Sequence, residues 1–352
     1  MTPCERIHAS LRGERPAAIP FSVYECMLPS SDVLDDYKKR GLAVVHRFSV
    51  YDTSYPNCTI TTTKLRQNGK NLVRTDIRTP AGDLHNFVEP AGFTSWTHKY
   101  LFTDENDYAA LSFYLGDAVF TPRYDRADEL AAGIDENTIL RSNMGLEPLQ
   151  HLISGGVFGT LNFGYQWMEN RDEVIKLYEI MVEKRREIYP IVAASPVLHA
   201  NYGGNVVPEI VGLEVFRDYY VPNYQEAAEV MHRCGKLIGV HFDANCSLFS
   251  EEIAKTDLDY IEAFTPSPDT DMTMREAREA WPDKTLWINY PSSVHLQSVE
   301  SIEEVTVELC VAVEPGNGFI IGITEDLPKG REDVNYRAIL DGIDRYERSR
   351  SD

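Results

Sequence analysis

Short apolar runs alternate along this chain with longer segments of helical period, a pattern that predicts βα units around a parallel sheet. Eight runs have strand length and character: AIPFSVYE (18–25), AVVHRFSV (43–50), NTILRSNM (137–144), SPVLHANY (195–202), KLIGVHFD (236–243), LDYIEAFT (258–265), KTLWINYP (284–291) and GFIIGITE (318–325). Helical spacing is clearest at 171–189, 213–234, 273–281 and 300–313. In the first of these, Val174, Leu177, Tyr178, Met181 and Val182 share a face, with Arg171 and Asp172 near its start. Eight strands joined by helical crossovers favour an α/β fold of the (β/α)8 TIM-barrel type over an open doubly wound sheet, with 1–352 as a single domain.

One region departs from this alternation. Residues 58–90, CTITTTKLRQNGKNLVRTDIRTPAGDLHNFVEP, combine Thr-rich alternation with an Asn68-Gly69 turn and an Ala81-Gly82-Asp83 turn. This predicts an antiparallel β-hairpin or small meander inserted in the N-terminal third. Such an insertion extends a barrel rim, as a cap over the pocket or as a flap without function. The Gly-rich run SGGVFGTLNFG (154–164) lacks the Lys of a P-loop and the spacing of a dinucleotide fingerprint, and is expected to form a flexible loop at the mouth.

Length and composition narrow the function classes. A chain of 352 residues is long enough to bury a sizeable core. No apolar run approaches the roughly 18 residues of a membrane helix. The opening MTPCERIHASLRGERP lacks the apolar centre of a secretory signal, so a cytoplasmic protein is expected. The six cysteines form no CxxC pair and read as free thiols. A net charge of −21 argues against nucleic acid as a partner and disfavours polyanionic ligands.

In a (β/α)8 barrel the chemistry gathers where the strands end, at the C-terminal mouth. Here those ends carry Tyr24 and Glu25, Tyr51 and Asp52, Asn143, Asn201 and Tyr202, His241 and Asp243, Glu262, Asn289 and Tyr290, and Thr324 and Glu325. His241 and Asp243 lie two residues apart and share a face if the strand runs through both. Glu262 and Glu325 come from later strands and can reach the same opening. An imidazole with two or three carboxylates suits Zn²⁺ with one open position, with Cys246 as an alternative ligand from the following loop. The competing reading of His241 is a hydrogen-bonded mouth histidine that orients a substrate, its tautomer fixed by Asp243. His199, inside its strand, reads as a satisfied core or mouth histidine. Tyr24, Asn143, Tyr165, Trp167, Asn201, Asn289 and Tyr290 are candidate substrate contacts, with ordinary packing as the alternative for the aromatics. Asp52, Tyr202, Asp243 and Glu262 are candidate catalytic groups.

The second half of the chain resembles the uroporphyrinogen decarboxylase superfamily. The resemblance rests on NVVPEIVGLEVFRDYYVPNYQEAAEVMHRCGKLIGVHFDANC (205–246), DLDYIEAFTPSPDTDM (257–272), LWINYPSSVHLQS (286–298) and GFIIGITEDLP (318–328), with TPCERIHASLRGERPAAIPF (2–21) similar to the family's start. It implies a distorted (β/α)8 barrel with its cleft at the C-terminal mouth. True decarboxylases of this family carry an Arg-rich loop after the first strand, which neutralises the carboxylates of a porphyrinogen. This chain has FSVYECMLPSSDVLDD there, without an Arg, and Arg12, Arg15 and Arg47 are not placed to substitute. Unpaired carboxylates buried there would cost several kcal/mol.

The resemblance is closer to the corrinoid-dependent methyltransferase branch, whose zinc motif is His-x-Cys after the fifth strand and a Cys after the last. His241 takes the His position, Asp243 stands where the first Cys would be, and Thr324 or Glu325 where the second would be. The expectation is methyl transfer between a small methoxylated or methylamine-like substrate and a corrinoid protein. Zinc on His241, Asp243 and Glu325, aided by Glu262, would act as Lewis acid, and the partner would carry the corrinoid. Two rivals remain: a cofactor-free decarboxylase using Asp52, Asp243 or Tyr202, and a non-catalytic barrel binding a small ligand or tetrapyrrole. A homodimer is compatible with the composition.

Overall fold

The computed structural model describes residues 1–351 apart from 93 and 326. Its strands in chain order are β1 (Phe21–Tyr24), β2 (Leu42–Phe48), β3 (Tyr51–Ser54), β4 (Thr59–Gln67), β5 (Lys70–Thr79), β6 (Gly82–Ala91), β7 (Thr94–Lys99), β8 (Val119–Pro122), β9 (Thr138–Asn143), β10 (His199–Tyr202), β11 (Leu237–His241), β12 (Tyr260–Phe264), β13 (Thr285–Asn289) and β14 (Phe319–Ile323). The chain divides into two compact units: 1–50 with 124–143 and 193–352, and 51–123 with 144–192. Among the described residues, no helix is long and apolar enough to cross a membrane.

The first unit is a closed parallel barrel in the order β1-β2-β9-β10-β11-β12-β13-β14. Seven of its strands fall within the runs predicted from apolar patterning, and β2 overlaps its run, starting one residue earlier at Leu42. β12, β13 and β14 are buried at every position, as expected of parallel strands covered on both faces. Two of the surrounding helices start at legible capping boxes. Thr2 and Thr273 each form a capping box with the glutamate three residues on, Glu5 and Glu276. The helix expected over 213–234 is two helices, Leu213–Tyr219 and Val221–Arg233. Pro222 stands in the first turn of the second, where its missing N–H costs nothing, and its ring would clash inside a continuous helix.

Register places the inward side chains in layers. Gly239 pairs with Asn201 on one side and Tyr260 on the other, and His241 pairs with Glu262. Because side chains alternate faces, His199 lies in the layer below Asn201, Gly239 below His241, and Tyr260 below Glu262. Gly239 makes this layer possible: a Cβ there would lie 2.0 Å from the Tyr260 ring. The Tyr260 hydroxyl donates to the Ala200 carbonyl (2.9 Å) and meets His199 Nδ1 at 3.0 Å. Since that hydroxyl has a single proton, His199 Nδ1 carries its own and donates. Burial keeps His199 well below its ordinary pKa, so it is a neutral core histidine, as its position inside a strand suggested.

The second unit contains a four-stranded antiparallel sheet, β4-β5-β6-β7, and a separate pair, β3-β8. The predicted Asn68-Gly69 turn joins β4 to β5, with φ of 51° and 80° at its two residues. The sheet runs on to Lys99, beyond the expected end at 90, because Thr94–Lys99 pairs with β6 across a register shift. The Gly-rich run at 154–164 is not a loop throughout. Gly159 opens the helix Gly159–Glu169, and a Cβ there would lie 2.4 Å from the Tyr100 ring, so this glycine serves packing.

Candidate metal centre

Glu262 is the centre of the barrel's polar network. Its side chain has no exposed surface, and each carboxylate oxygen receives two donors. Oε1 accepts from the Tyr24 hydroxyl and from Arg141 Nη1 (2.7 Å). Oε2 accepts from Asn201 Nδ2 (2.8 Å) and meets His241 Nδ1 at 2.6 Å. These donors come from β1, β9, β10 and β11. Arg141 and Glu262 are both sealed from solvent, with side-chain exposures of 4% and 0%. Burial alone would raise the Glu262 carboxyl. The Arg141 guanidinium first, and His241 second, instead hold it well below the usual carboxylate range.

The other edge of the imidazole faces acids. His241 Nε2 is 3.6 Å from Asp243 Oδ2 and 3.7 Å from Glu325 Oε1. One donor atom from each of the three residues falls within a span of 4.8 Å. Burial would lower the His241 pKa, but Glu262 and Asp243 override it and push it up to about 10. β11 ends at His241, so Asp243 reaches the group from the loop rather than from a continuing strand. Glu325 likewise lies beyond β14. Asn289, the last residue of β13, accepts through Oδ1 from the backbone N–H groups of Thr324 (3.1 Å) and Glu325 (3.2 Å).

The donor set passes a chemical test for a divalent cation. It offers one imidazole nitrogen and two carboxylates, ligands that suit Zn²⁺. Glu262 on the opposite ring nitrogen fixes the ring's orientation and presents Nε2 outward, the outer-shell contact that metal-binding histidines ordinarily have. Glu262 is therefore a partner of His241 and not a fourth ligand, since its oxygens are already engaged. Cys246 is outside the cluster. Its thiol donates to the Ala244 carbonyl (3.2 Å), and burial raises its pKa, so it is held as a neutral thiol.

The remaining predicted residues separate by position. Tyr24 and Asn201 belong to the Glu262 network. The Tyr24 ring also lies under the Arg47 guanidinium, 3.7 Å from the ring centroid, and Arg47 in turn pairs with Glu25 through two hydrogen bonds of 3.1 and 3.0 Å. Asn143 ends β9 beside Asn201. Tyr290 is fully buried, and its hydroxyl donates to the Ile302 carbonyl (2.9 Å), which makes it a packing residue of the helix Val299–Ala312. Tyr202 is fully buried edge-on to Tyr224. Asp52 does not end the second barrel strand, which stops at Phe48; it lies in β3 of the second unit and pairs with Arg123 at 2.6 Å. Tyr165 and Trp167 lie on the helix Gly159–Glu169 of that unit, where Trp167 stacks on Phe163 with centroids 5.4 Å apart.

Arg141 was not among the predicted residues. Its signal was present in TILRSN: a cation in the middle of a buried strand needs an anion, and only an inward acid such as Glu262 can supply one.

No protein-family model matches the chain, and no curated protein matches it in sequence. Solved structures do resemble it. A methyltransferase from Methanosarcina mazei aligns over 98% of this chain and 99% of its own, with a TM-score of 0.57 and 11% sequence identity. A D-psicose 3-epimerase with D-tagatose from Clostridium cellulolyticum covers 93% of this chain and 97% of its own, with a TM-score of 0.42 and 10% identity. A sugar phosphate isomerase/epimerase from Parabacteroides distasonis covers 94% of each chain, with a TM-score of 0.39 and 12% identity. At 11% identity, the likeness to the methyltransferase is one of fold.

Proposed function

We propose that the barrel is a zinc-assisted methyltransferase. It would move a methyl group between a small methoxylated or methylamine-like substrate and a corrinoid carried by a partner protein. The observation that carries this reading is the convergence of His241 Nε2, Asp243 and Glu325 within 4.8 Å, with Glu262 engaging the other imidazole nitrogen. The resemblance to corrinoid-dependent methyltransferases in the same strand positions supports it, and the fold shared with the Methanosarcina enzyme agrees with it.

In this reading His241, Asp243 and Glu325 hold the ion. When bound, zinc supplies Lewis acidity at the substrate heteroatom that gives up or receives the methyl group. The protein's own contribution is orientation and charge. Glu262 fixes which ring nitrogen faces outward, and Arg141 neutralises Glu262 so that this buried anion adds little net charge beside the ligands. Two carboxylates balance a divalent cation, which leaves a site suited to a neutral heteroatom donor.

Metal analysis of purified protein, followed by zinc titration after chelation, tests the proposal. The expected result is one zinc per chain, lost in His241→Ala and bound more weakly in Glu325→Gln. Less than one transition metal per several chains, together with no saturable zinc binding, would remove it. Methyl transfer to a free corrinoid then tests the reaction itself, whereas CO2 release without any corrinoid would select decarboxylation instead.

A further inference from the structure

Asn289 has a more specific place than substrate contact. It is 2% exposed, and hydrogen bonds link it to the residues just past two other strands, β12 and β14. β14 ends at Ile323, and the last backbone bond between β13 and β14 runs from Tyr290 N–H to the Gly322 carbonyl (2.8 Å). The N–H groups of Thr324 and Glu325 therefore emerge beyond the ladder, and Asn289 Oδ1 accepts both. This fixes the amide's orientation, because an NH2 there would face two donors. Its Nδ2 then points to Thr265 Oγ1 (3.3 Å), and Thr265 donates onward to the Ala263 carbonyl (3.1 Å).

Ala263 is itself unusual. It is fully buried with φ of 61°, a left-handed conformation that costs a non-glycine residue about 1–2 kcal/mol. It forms the bulge at which the β12–β13 register shifts, between Glu262 and Phe264. Strain of this kind persists where surrounding structure imposes it, and it clusters at functional sites. Here the bulge directly follows Glu262, the group engaging one edge of His241. The hydrogen-bond chain from its carbonyl ends at Glu325, the acid on the other edge.

We propose that Asn289 is a positioning residue for the metal centre: through Thr265 and the β12 bulge it ties the Glu262 strand to the loop that carries Glu325, and so sets where the Glu325 carboxylate stands relative to His241. The inference rests on the metal-site reading above. It assigns Asn289 no contact with metal or substrate. Its effect passes through Glu325 alone.

The experiment is a double-mutant cycle on metal affinity, read with Zn²⁺ by competition and with Co²⁺ by its visible absorption. Asn289→Leu keeps the branched shape and loses both hydrogen-bonding groups. It is expected to weaken binding about 10–100-fold in the otherwise native protein and to change the Co²⁺ spectrum as Glu325 leaves the ion. Asn289→Asp keeps an acceptor for both N–H groups, and the Thr265 hydroxyl can turn to it from the Ala263 carbonyl, which keeps the tie between Thr265 and the Glu325 loop. Its affinity should stay within about threefold of native, with the native Co²⁺ spectrum. In a Glu325→Gln background, Asn289→Leu should add no further loss, because the carboxylate it positions is gone. Should Asn289→Leu not fold, Thr265→Val cuts the same chain one link earlier and is expected to weaken binding in the native background only.

A purely structural role for Asn289 predicts lower urea resistance with unchanged affinity and spectrum in the folded protein, and that result overturns the proposal. So does an equal loss from Asn289→Leu with and without Glu325. If Glu325→Gln itself leaves affinity unchanged, the metal-site reading fails first and takes this inference with it. If Glu325→Gln weakens binding but Asn289→Leu does not, the positioning inference alone fails.

Discussion

Glu262→Gln probes the network most directly, because it changes one atom and removes one charge. The native carboxylate accepts four donors, two on each oxygen. A glutamine replaces one oxygen with an NH2 that cannot accept. Placed at Oε1, that NH2 would face the Arg141 guanidinium, so the favourable placement is at Oε2, facing Asn201 and His241. Asn201 can answer by flipping its amide, since its Oδ1 is buried without a hydrogen-bond partner. His241 can answer only by giving up its Nδ1 proton and accepting instead, which puts the proton of the neutral ring on Nε2, the atom offered to the metal. Two losses follow. Arg141 becomes a buried cation without its counterion, and breaking one half of a buried pair costs about 3–5 kcal/mol. Metal affinity falls at least as far as the 10–100-fold typical of lost outer-shell partners. Urea unfolding of the chelated protein measures the first effect, and zinc competition with ¹⁵N shifts of the His241 ring measures the second. An unfolding free energy within about 0.5 kcal/mol of native would refute the account of the Arg141 pair. Native zinc affinity with the Nε2–H tautomer absent would refute the account of ring orientation.

Three further outcomes follow. In the metal-free protein His241 is pushed up to about 10, so at neutral pH it carries a proton that a metal on Nε2 must displace. Calorimetry in buffers of different ionisation enthalpy should show about one proton released per zinc, with affinity rising roughly tenfold per pH unit above neutrality; zero release would contradict it. His295, 1% exposed, is lowered by burial and then by Arg331 to about 4. The unfolded chain therefore takes up this proton first as pH falls, and stability should drop by about 3 kcal/mol between pH 6.5 and 4. The drop should shrink in His295→Gln, and an unchanged acid limb would exclude His295 as its source. Gly239→Ala places a methyl 2.0 Å from the Tyr260 ring, an overpacking expected to cost about 3 kcal/mol and seen as a lowered thermal midpoint; an unshifted midpoint would show that the Tyr260 layer yields.

The barrel was legible because parallel strands buried on both faces leave near-continuous apolar runs, and β12, β13 and β14 are of that kind. Legibility fell where local chemistry competes with periodicity. The apolar period runs straight through Tyr220, yet Pro222 starts a new helix there. Glycines suggested a loop at 154–164, yet Gly159 is small because the Tyr100 ring occupies the space of a side chain. Asp52 follows an apolar run, which gave it the look of a strand end, but the strand stops at Phe48 and Asp52 is drawn into pairing with β8.

The functional group was only half legible, for a reason that lies in how charge is shared between strands. His241 and Asp243 are neighbours in sequence, so spacing could pair them. Nothing in a linear pattern says which distant acid will take Nδ1 and which will face Nε2. That division follows from the position of Arg141: a buried guanidinium on β9 compels the nearest inward carboxylate, Glu262, to pair with it. An acid so compensated holds the ring in place and leaves ligation to the less buried acids. Asp243 and Glu325 are the partly exposed pair, with side-chain exposures of 25% and 42%, and they remain on the open side. A cation in the middle of a strand thus decides the roles of three acids elsewhere, and a search of this kind of sequence for ligands should begin by asking which carboxylates its buried arginines have already taken.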